Sequence, residues 1–447
     1  MGISQVKILN IVEHSKKISG KLIPPSDKSI THRSVFLGSL SPNASRIRNP
    51  LFSGDCLSTI QCFQSLGVKI QVKANEILIP AGEKSPNSPY RLLKQSKSIL
   101  DCGNSGTTMR LMSGVLSAQP FVSQLKGDSS LSKRPMKRII EPLSKMGAQI
   151  KAKKDNFAPL TIYGSLNLQP ISWKSSVASA QVKSAILLAG LFLEGKTSVS
   201  EPELSRDHTE RMLSGLGVTL LQRLHPRSRW KYSVELKGMQ KLSGLNLTVP
   251  SDFSSAAFFI AAALLVPNSN LIIHQVNLNP TRCGLLNVLK RMGAQIKIIN
   301  KKNIYHEWMG DIQVQTSVLK ATQVLKSEIP SLIDEVPILA LIATQAKGKT
   351  VISGAEELRV KESDRLAAVS QELNRLKSNI IEKKDGLVIE GKTFLVGKQV
   401  NSYHDHRIAM TLAIAGLIAQ GETHIKNFDC TQISYPNFLK DLKSVIQ

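Results

Sequence analysis

At 447 residues and 48.9 kDa, with 42% apolar residues, the chain is too long for a single small module and too rich in core-forming residues for a disordered chain. Its longest apolar run, Ala256 to Val266, is eleven residues, well short of the roughly 18 needed for a membrane span, and no signal-peptide pattern opens the sequence. A net charge of +25 and a pI near 9.9 raise nucleic acid as a partner, but the basic residues are scattered and aromatics are only 5%, which leaves few platforms for base stacking.

The five cysteines (Cys56, Cys62, Cys102, Cys283 and Cys430) form no CxxC pair. They read as free, reduced thiols rather than as a disulfide framework or a thiolate metal site.

Along the chain, a polar cluster followed by an apolar helix rich in small residues recurs six times. The segments are KSITHRSVFLGSL from Lys28, NSGTTMRLMSGVL from Asn104, SAQVKSAILLAGLFL from Ser179, FSSAAFFIAAALLV from Phe253, DEVPILALIATQA from Asp334 and DHRIAMTLAIAGLIA from Asp405. Successive starts lie 71 to 81 residues apart, a period that makes six units. Each helix is expected to run into a turn and an alternating strand, as in GKTSVSEP from Gly195, GKTVISGA from Gly348 and GETHIKNF from Gly421. A second, amphipathic helix then ends in a glycine step at Gly67, Gly147, Gly217 and Gly293, with Leu376-Lys377-Ser378 in that place in the fifth unit.

The fold class expected is α/β, with two similar domains, each of three inside-out strand and helix repeats around buried helices. Pro24-Pro25-Ser26-Asp27 and Val249-Pro250-Ser251-Asp252 are alike and three repeats apart, and read as the two strands of a hinge. The expected domains are 24–248, and 1–23 together with 249–447.

A helix N-terminus presents unpaired N–H groups and partial positive charge, which suits an anion. Lys28, Arg33, Arg110, Lys183 and Arg407 lie at or within such helices, and Arg134, Lys137, Arg206, Lys361 and Arg365 lie in the connections. Any single Ser, Thr, Asp or Asn at these starts reads first as a cap; recurring cations at the same phase do not follow from capping. If the repeats converge on one cleft, it suits a substrate bearing several phosphates or carboxylates. Three carboxylates lie among the cations: Asp334, Glu362 and Asp405. On spacing alone Asp334 is a helix cap or a proton-transfer group, and Glu362 a surface ion pair or a proton-transfer group. There is no phosphate loop, HExxH or GxSxG. His404 and His406 have HxH spacing without a clear third ligand, so no metal is expected.

At KSITHR, NSGTTMR, SAQVKS, IDEVP, RVKESDR and DHRIAM the sequence closely resembles the 5-enolpyruvylshikimate-3-phosphate synthase family, over essentially the whole chain and in the family's order. The resemblance implies the enolpyruvyl transferase fold, an active site in the cleft between the domains, and transfer of the carboxyvinyl group of phosphoenolpyruvate to shikimate 3-phosphate without a cofactor. It implies Asp334, Glu362 and Lys28 as catalytic residues. Shikimate 3-phosphate would be held by Lys28, Ser29, Arg33, Ser179, Ala180, Gln181, Arg206, Asp334 and Lys361. Phosphoenolpyruvate would be held by Lys28, Gly106, Arg134, Gln181, Arg365 and Arg407. Some members carry a lysine where this chain has Ile433.

The sister family that acts on a UDP-sugar has Asn after the first-motif lysine and a cysteine in the loop before the Arg-Pro pair. Here Ser29 follows Lys28, and Gln119 to Arg134 contains no cysteine. The expectation is a monomeric cytoplasmic enzyme acting on small molecules, with neither nucleic acid nor membrane as a partner.

Overall fold

The proline-bearing connections mark where the chain changes unit. In the computed structural model, which describes residues 9–11 and 17–447, one compact unit comprises Ser26–Val249 with Asn303–Glu307. The other comprises the residues up to Pro25, Pro250–Lys302 and Trp308–Gln447. The N-terminal unit therefore takes in Asn303–Glu307, which the period of the repeats assigns to the other half.

Six helices occupy the positions of the six small-residue segments: α1 (Lys28–Leu40), α2 (Gly106–Ser117) and α3 (Ala180–Gly190) in the N-terminal unit, and α4 (Phe253–Leu265), α5 (Val336–Thr344) and α6 (His406–Gly416) in the C-terminal unit. Every residue of α5 and α6 is buried, as is every residue of α4 before Leu265. A helix that is apolar on all sides has no solvent face to offer, so it must be surrounded. At about 1.5–3 kcal/mol per buried large apolar side chain, the sheets around it supply the driving force. Small residues let the helix backbones approach closely: a Cβ on Gly114 of α2 would stand 2.1 Å from the carbonyl oxygen of Ala185 in α3.

The sheets repeat with the helices. In the N-terminal unit they run in the orders Leu100–Asp101, Val122–Lys126, Phe157–Tyr163, Gln149–Lys153, and Ser172–Lys174, Lys196–Glu201, Tyr232–Lys237, Leu220–Leu224. In each, the first pair is parallel and the others antiparallel. The remaining sheet of that unit, built on Ser45–Arg48, takes its parallel strand from Asn246–Thr248, far along the chain. Reciprocally, Ser19–Leu22 pairs with Asn270–Asn277 in the C-terminal unit. The strand preceding α1 thus serves the sheet that follows α4, and the strand preceding α4 serves the sheet that follows α1. Both exchanged strands end before proline, which has no N–H to continue a ladder; Asp252 N donates to Pro25 O at 2.8 Å.

A second four-stranded sheet of the C-terminal unit runs Gln323–Val324, Gly348–Ile352, Gly386–Gly391, Asn379–Lys383. Its last sheet has three strands among the described residues, with Leu9–Ile11 antiparallel to Thr423–Lys426. Of the N-terminal segment, residues 9–11 and 19–22 pair with strands of this unit, whereas 1–8 and 12–16 lie outside the described residues.

Five of the six buried helices start on a side-chain cap: Asp27, Ser105, Ser179, Asp252 and Asp405 each accept from a first-turn N–H. The fifth does not. A short 3-10 turn, Ile333–Glu335, precedes α5, and Glu335 stands at its start without a capping hydrogen bond. Asp334 is therefore not a cap.

The second helices end as the glycine steps predict, with φ of +85° to +101° at Gly67, Gly147, Gly217 and Gly293. After Arg365–Arg375 the same turn is made by Lys377, at φ +72°. Ser378 N bonds Leu373 O and Lys377 N bonds Asn374 O, closing the double hydrogen-bonded stop. A side chain in this conformation costs about 1–2 kcal/mol, partly offset by the lower chain entropy of a non-glycine residue in the unfolded state. Lys377→Gly is expected to raise stability by about 0.5 kcal/mol, read as an increased urea midpoint at constant slope.

Candidate active site

In the N-terminal unit the cations collect at the starts of α1, α2 and α3. Lys28, the first residue of α1, places Nζ 3.1 Å from Asp55 Oδ2. One turn on, Arg33 is nearly buried and donates to Thr209 Oγ1 at 2.7 Å, Ser184 Oγ at 3.2 Å and Ser29 O at 3.1 Å. Burial brings its guanidinium down to about 10, with the nearby Arg206 acting in the same direction, so it remains charged at neutral pH. Ser29, Arg206, Ser179, Ala180 and Gln181 are half-buried.

Gln181 links α3 to α2: its Oε1 accepts from Arg110 Nη1 at 2.5 Å, and its Nε2 donates to Thr107 Oγ1 at 3.0 Å. Arg110 also donates to Pro135 O, while Arg134 donates to Asn104 Oδ1 at 2.7 Å and to Ser130 Oγ at 3.1 Å. A Cβ on Gly106 would lie 2.9 Å from Arg110 Nη1 and 3.7 Å from Arg134 Nη1. Gly106 thus gives two guanidinium groups access to one helix start, where the backbone itself favours an anion.

Lys183 is not part of this exposed group. It is fully buried, 2.8 Å from both Glu201 Oε2 and Glu210 Oε1.

In the C-terminal unit Arg365, 1% exposed, is the hub. It donates through Nε to Asp405 Oδ2 at 2.8 Å, through Nη2 to Glu362 Oε2 at 2.6 Å and through Nη1 to Asp334 Oδ1 at 3.2 Å. Burial works against its charge, but Asp405, Glu362 and Asp334 outweigh that and hold it above its ordinary value. Asp405 is held low: burial would raise it, and Arg365 more than compensates. Arg407 Nη2 lies 3.6 Å from Asp334 Oδ2, and its Nη1 donates to Asp334 O at 3.2 Å. Glu362 is therefore paired with an interior guanidinium rather than in a surface ion pair, and Lys361 next to it is half-buried.

Sequence reasoning missed several members. Glu335 is buried, accepts from Arg282 Nη1 at 2.8 Å and from Ser254 Oγ, and lies 3.7 Å from Arg407. Asn104 orients Arg134. Asn104 and Glu335 lay inside motifs already singled out; Arg282, in a connection, carried no periodic signal. Ile433, at the end of the 3-10 turn Phe428–Ile433, packs against the apolar core. His404 is exposed and His406 buried, so the HxH pair does not share one environment.

The start of α2 is tied to α1 by a chain of hydroxyls. His32 Nδ1 is 2.7 Å from Thr59 Oγ1, Thr59 is 2.7 Å from Thr108 Oγ1, and Thr108 Oγ1 donates to the capping Ser105 at 2.8 Å.

The fold is the two-domain enolpyruvyl transferase fold. The sequence profile described as EPSP synthase (3-phosphoshikimate 1-carboxyvinyltransferase) matches residues 12–442. A 3-phosphoshikimate 1-carboxyvinyltransferase of Thermoanaerobacter sp. (strain X514) is 46% identical over 96% of this chain and 98% of its own length, and that of Petrotoga mobilis is 48% identical over 97% and 98%. The solved structure of EPSP synthase from Acinetobacter baumannii superposes with a TM-score of 0.85 at 40% identity, covering 98% of both chains. The chain belongs to the EPSP synthase family.

Burial lowers His32 from 6.5 to about 3, so the folded protein refuses a proton that the unfolded chain accepts below pH 6.5. The stabilisation from a neutral His32 is complete above that pH and is lost as pH falls from 6.5 toward 3, by about 2 kcal/mol at pH 5. His32→Gln is expected to show a shallower loss of urea stability between pH 7 and pH 5 than the parent chain.

Proposed function

We propose that the protein transfers the carboxyvinyl group of phosphoenolpyruvate to the 5-hydroxyl of shikimate 3-phosphate, giving 5-enolpyruvylshikimate 3-phosphate and inorganic phosphate in aromatic amino-acid biosynthesis. One observation carries the assignment of roles: Asp334 and Glu362, the intended proton-transfer groups, converge on the single guanidinium of Arg365 at 3.2 and 2.6 Å. Family membership over residues 12–442 supports the reaction.

In this reading both clusters act on one substrate pair. Arg33, Arg206, Ser29, Ser179, Ala180, Gln181 and Lys361 hold shikimate 3-phosphate; Arg134, Gln181, Arg365 and Arg407 hold phosphoenolpyruvate beside Gly106; Lys28 touches both. Planar guanidinium forks match carboxylate and phosphate oxygens in pairs.

The 5-hydroxyl oxygen bonds to C2 of phosphoenolpyruvate as its proton passes to Asp334, and C3 gains a proton from the carboxyl of Glu362 to become a methyl group. The product of this step is a tetrahedral ketal phosphate. Loss of a methyl proton, with Glu362 as the exchange partner at that carbon, reforms the double bond and breaks the C2–O bond, so phosphate departs with its electron pair. Each step couples proton transfer to making or breaking a C–O bond within oriented reactants, which asks of the protein general acid–base groups and positioning. The enzyme acts as a cytoplasmic monomer, without cofactor, metal or nucleic acid.

Phosphate release is expected only when phosphoenolpyruvate and shikimate 3-phosphate are supplied together, and not with a UDP-sugar acceptor; release from the UDP-sugar would overturn the substrate assignment. Asp334→Asn is expected to bind shikimate 3-phosphate while turnover falls by about 10²–10⁴. Near-normal turnover in that variant would remove Asp334 from its role.

A further inference from the structure

The N-terminal unit holds one ionic network with no direct part in the scheme above. Lys183 lies in the second turn of α3 and is the only charged residue of that helix, and Glu201 ends the strand Lys196–Glu201 that follows. Both are fully buried, as is Glu210. The three donors of the Lys183 ammonium have three acceptors: Glu201 Oε2 and Glu210 Oε1 at 2.8 Å, and Ser205 O at 3.4 Å. Its charge also sits 4.8 Å from the ring of Tyr232.

Glu201 does more than neutralise Lys183. Its Oε1 accepts from Ser179 N at 2.8 Å, and both of its oxygens lie 2.8 Å from Ser205 Oγ; Ser205 N approaches Oε2 at 3.4 Å. Ser179 caps α3, whose first residues are Ala180 and Gln181, and Ser205 directly precedes Arg206. One carboxylate therefore fixes two segments that are far apart in sequence and carry four of the residues assigned above to shikimate 3-phosphate.

We propose that Glu201 is a positioning residue for the shikimate 3-phosphate subsite, locking the start of α3 and the Ser205-Arg206 segment into one geometry with Lys183 as its counter-ion. This rests on the function proposed above. All the groups that converge on Glu201 are donors, so only a group that accepts at both ends serves. An amide does not fill both ends: with its oxygen toward Ser179 N its NH2 faces the Lys183 ammonium and the Ser205 N–H, and reversed its NH2 faces the Ser179 N–H. The first orientation leaves Ser205 only its hydroxyl bond and sets the amide against the ammonium; the second releases the start of α3. The interior tolerates the change in charge, because Lys183 keeps Glu210 and the trio becomes neutral.

The test compares Glu201→Gln and Ser205→Ala with the parent protein by thermal midpoint, by calorimetric titration with shikimate 3-phosphate, and by separate KM values for the two substrates. Glu201→Gln is expected to weaken shikimate 3-phosphate about tenfold or more, in both Kd and KM, the scale of losing a charge-assisted hydrogen bond. The KM for phosphoenolpyruvate is expected to stay near that of the parent. Ser205→Ala, a mild change that keeps the Ser179 and Lys183 contacts, is expected to shift the same constants in the same direction and by less.

Unchanged shikimate 3-phosphate constants in folded Glu201→Gln would overturn the inference, as would an equal rise in both KM values with a fallen thermal midpoint. If Glu201→Gln does not fold, unchanged shikimate 3-phosphate binding by Ser205→Ala overturns it. A parent protein that neither binds nor turns over shikimate 3-phosphate brings down the proposed function and this inference together; a parent that does both leaves the variants to judge the inference alone.

Discussion

Everything polar in this protein is arranged around the need to bury six helices on all sides. A helix such as α4, with every residue before Leu265 buried, has no flank on which a charge can meet water. Desolvating a lone charge there costs several kcal/mol. Polar chemistry is therefore pushed to the helix ends, where N–H groups already need acceptors. Lys183 shows the alternative: the one lysine buried on a helix flank of the N-terminal unit is held by two glutamates and a backbone carbonyl.

The two clusters use their arginines differently. In the N-terminal unit, Gln181, Pro135, Asn104 and Ser130 offer neutral oxygens to Arg110 and Arg134, bonds that aim a guanidinium without cancelling its charge. In the C-terminal unit three carboxylates surround Arg365, and two of these are the groups to which proton transfers are assigned. The first arrangement attracts anions; the second keeps carboxylates within reach of one another by giving them a shared cation. A chain with a net charge of +25 thus gathers part of its scarce acid around a few buried arginines.

Much of this was legible in the sequence, and for a physical reason. The six buried helices announce themselves because a helix enclosed on all sides is built mostly of small and apolar residues, and the glycine steps because a left-handed residue is needed where each second helix stops. The fifth step was not legible, since Lys377 pays a conformational cost that composition does not display. Nor were the pairing partners of Ser19–Leu22 and Asn246–Thr248, although the expected domain bounds already put the two strands in opposite halves, because strands of three or four residues carry too little pattern to name their partners. Around the site, motif matching identified residues that the structure gathers at helix starts, but spacing alone left their partners open. It left Asp334 between a cap and a proton-transfer group, and Glu362 between a surface ion pair and a proton-transfer group; the structure sets both against an interior arginine. Lys183, counted with the cations of the helix starts, is sealed. A signal for the last was present: Glu201 falls on the inward phase of its strand, in register with Thr197 and Val199, where an acid needs a buried partner.

Asp405 accepts from the N–H of Arg407, so starting α6, and at the same time holds Nε of Arg365. Helix initiation and the aim of an arginine are thereby delegated to the same two oxygens. Selection on stability and selection on activity cannot move independently at this position: a substitution that preserves the helix start but not the charge loses the arginine's orientation, and a longer acid that reaches the arginine gives up the capping geometry. The position is closed to gradual adjustment, because neither task can be tuned without disturbing the other.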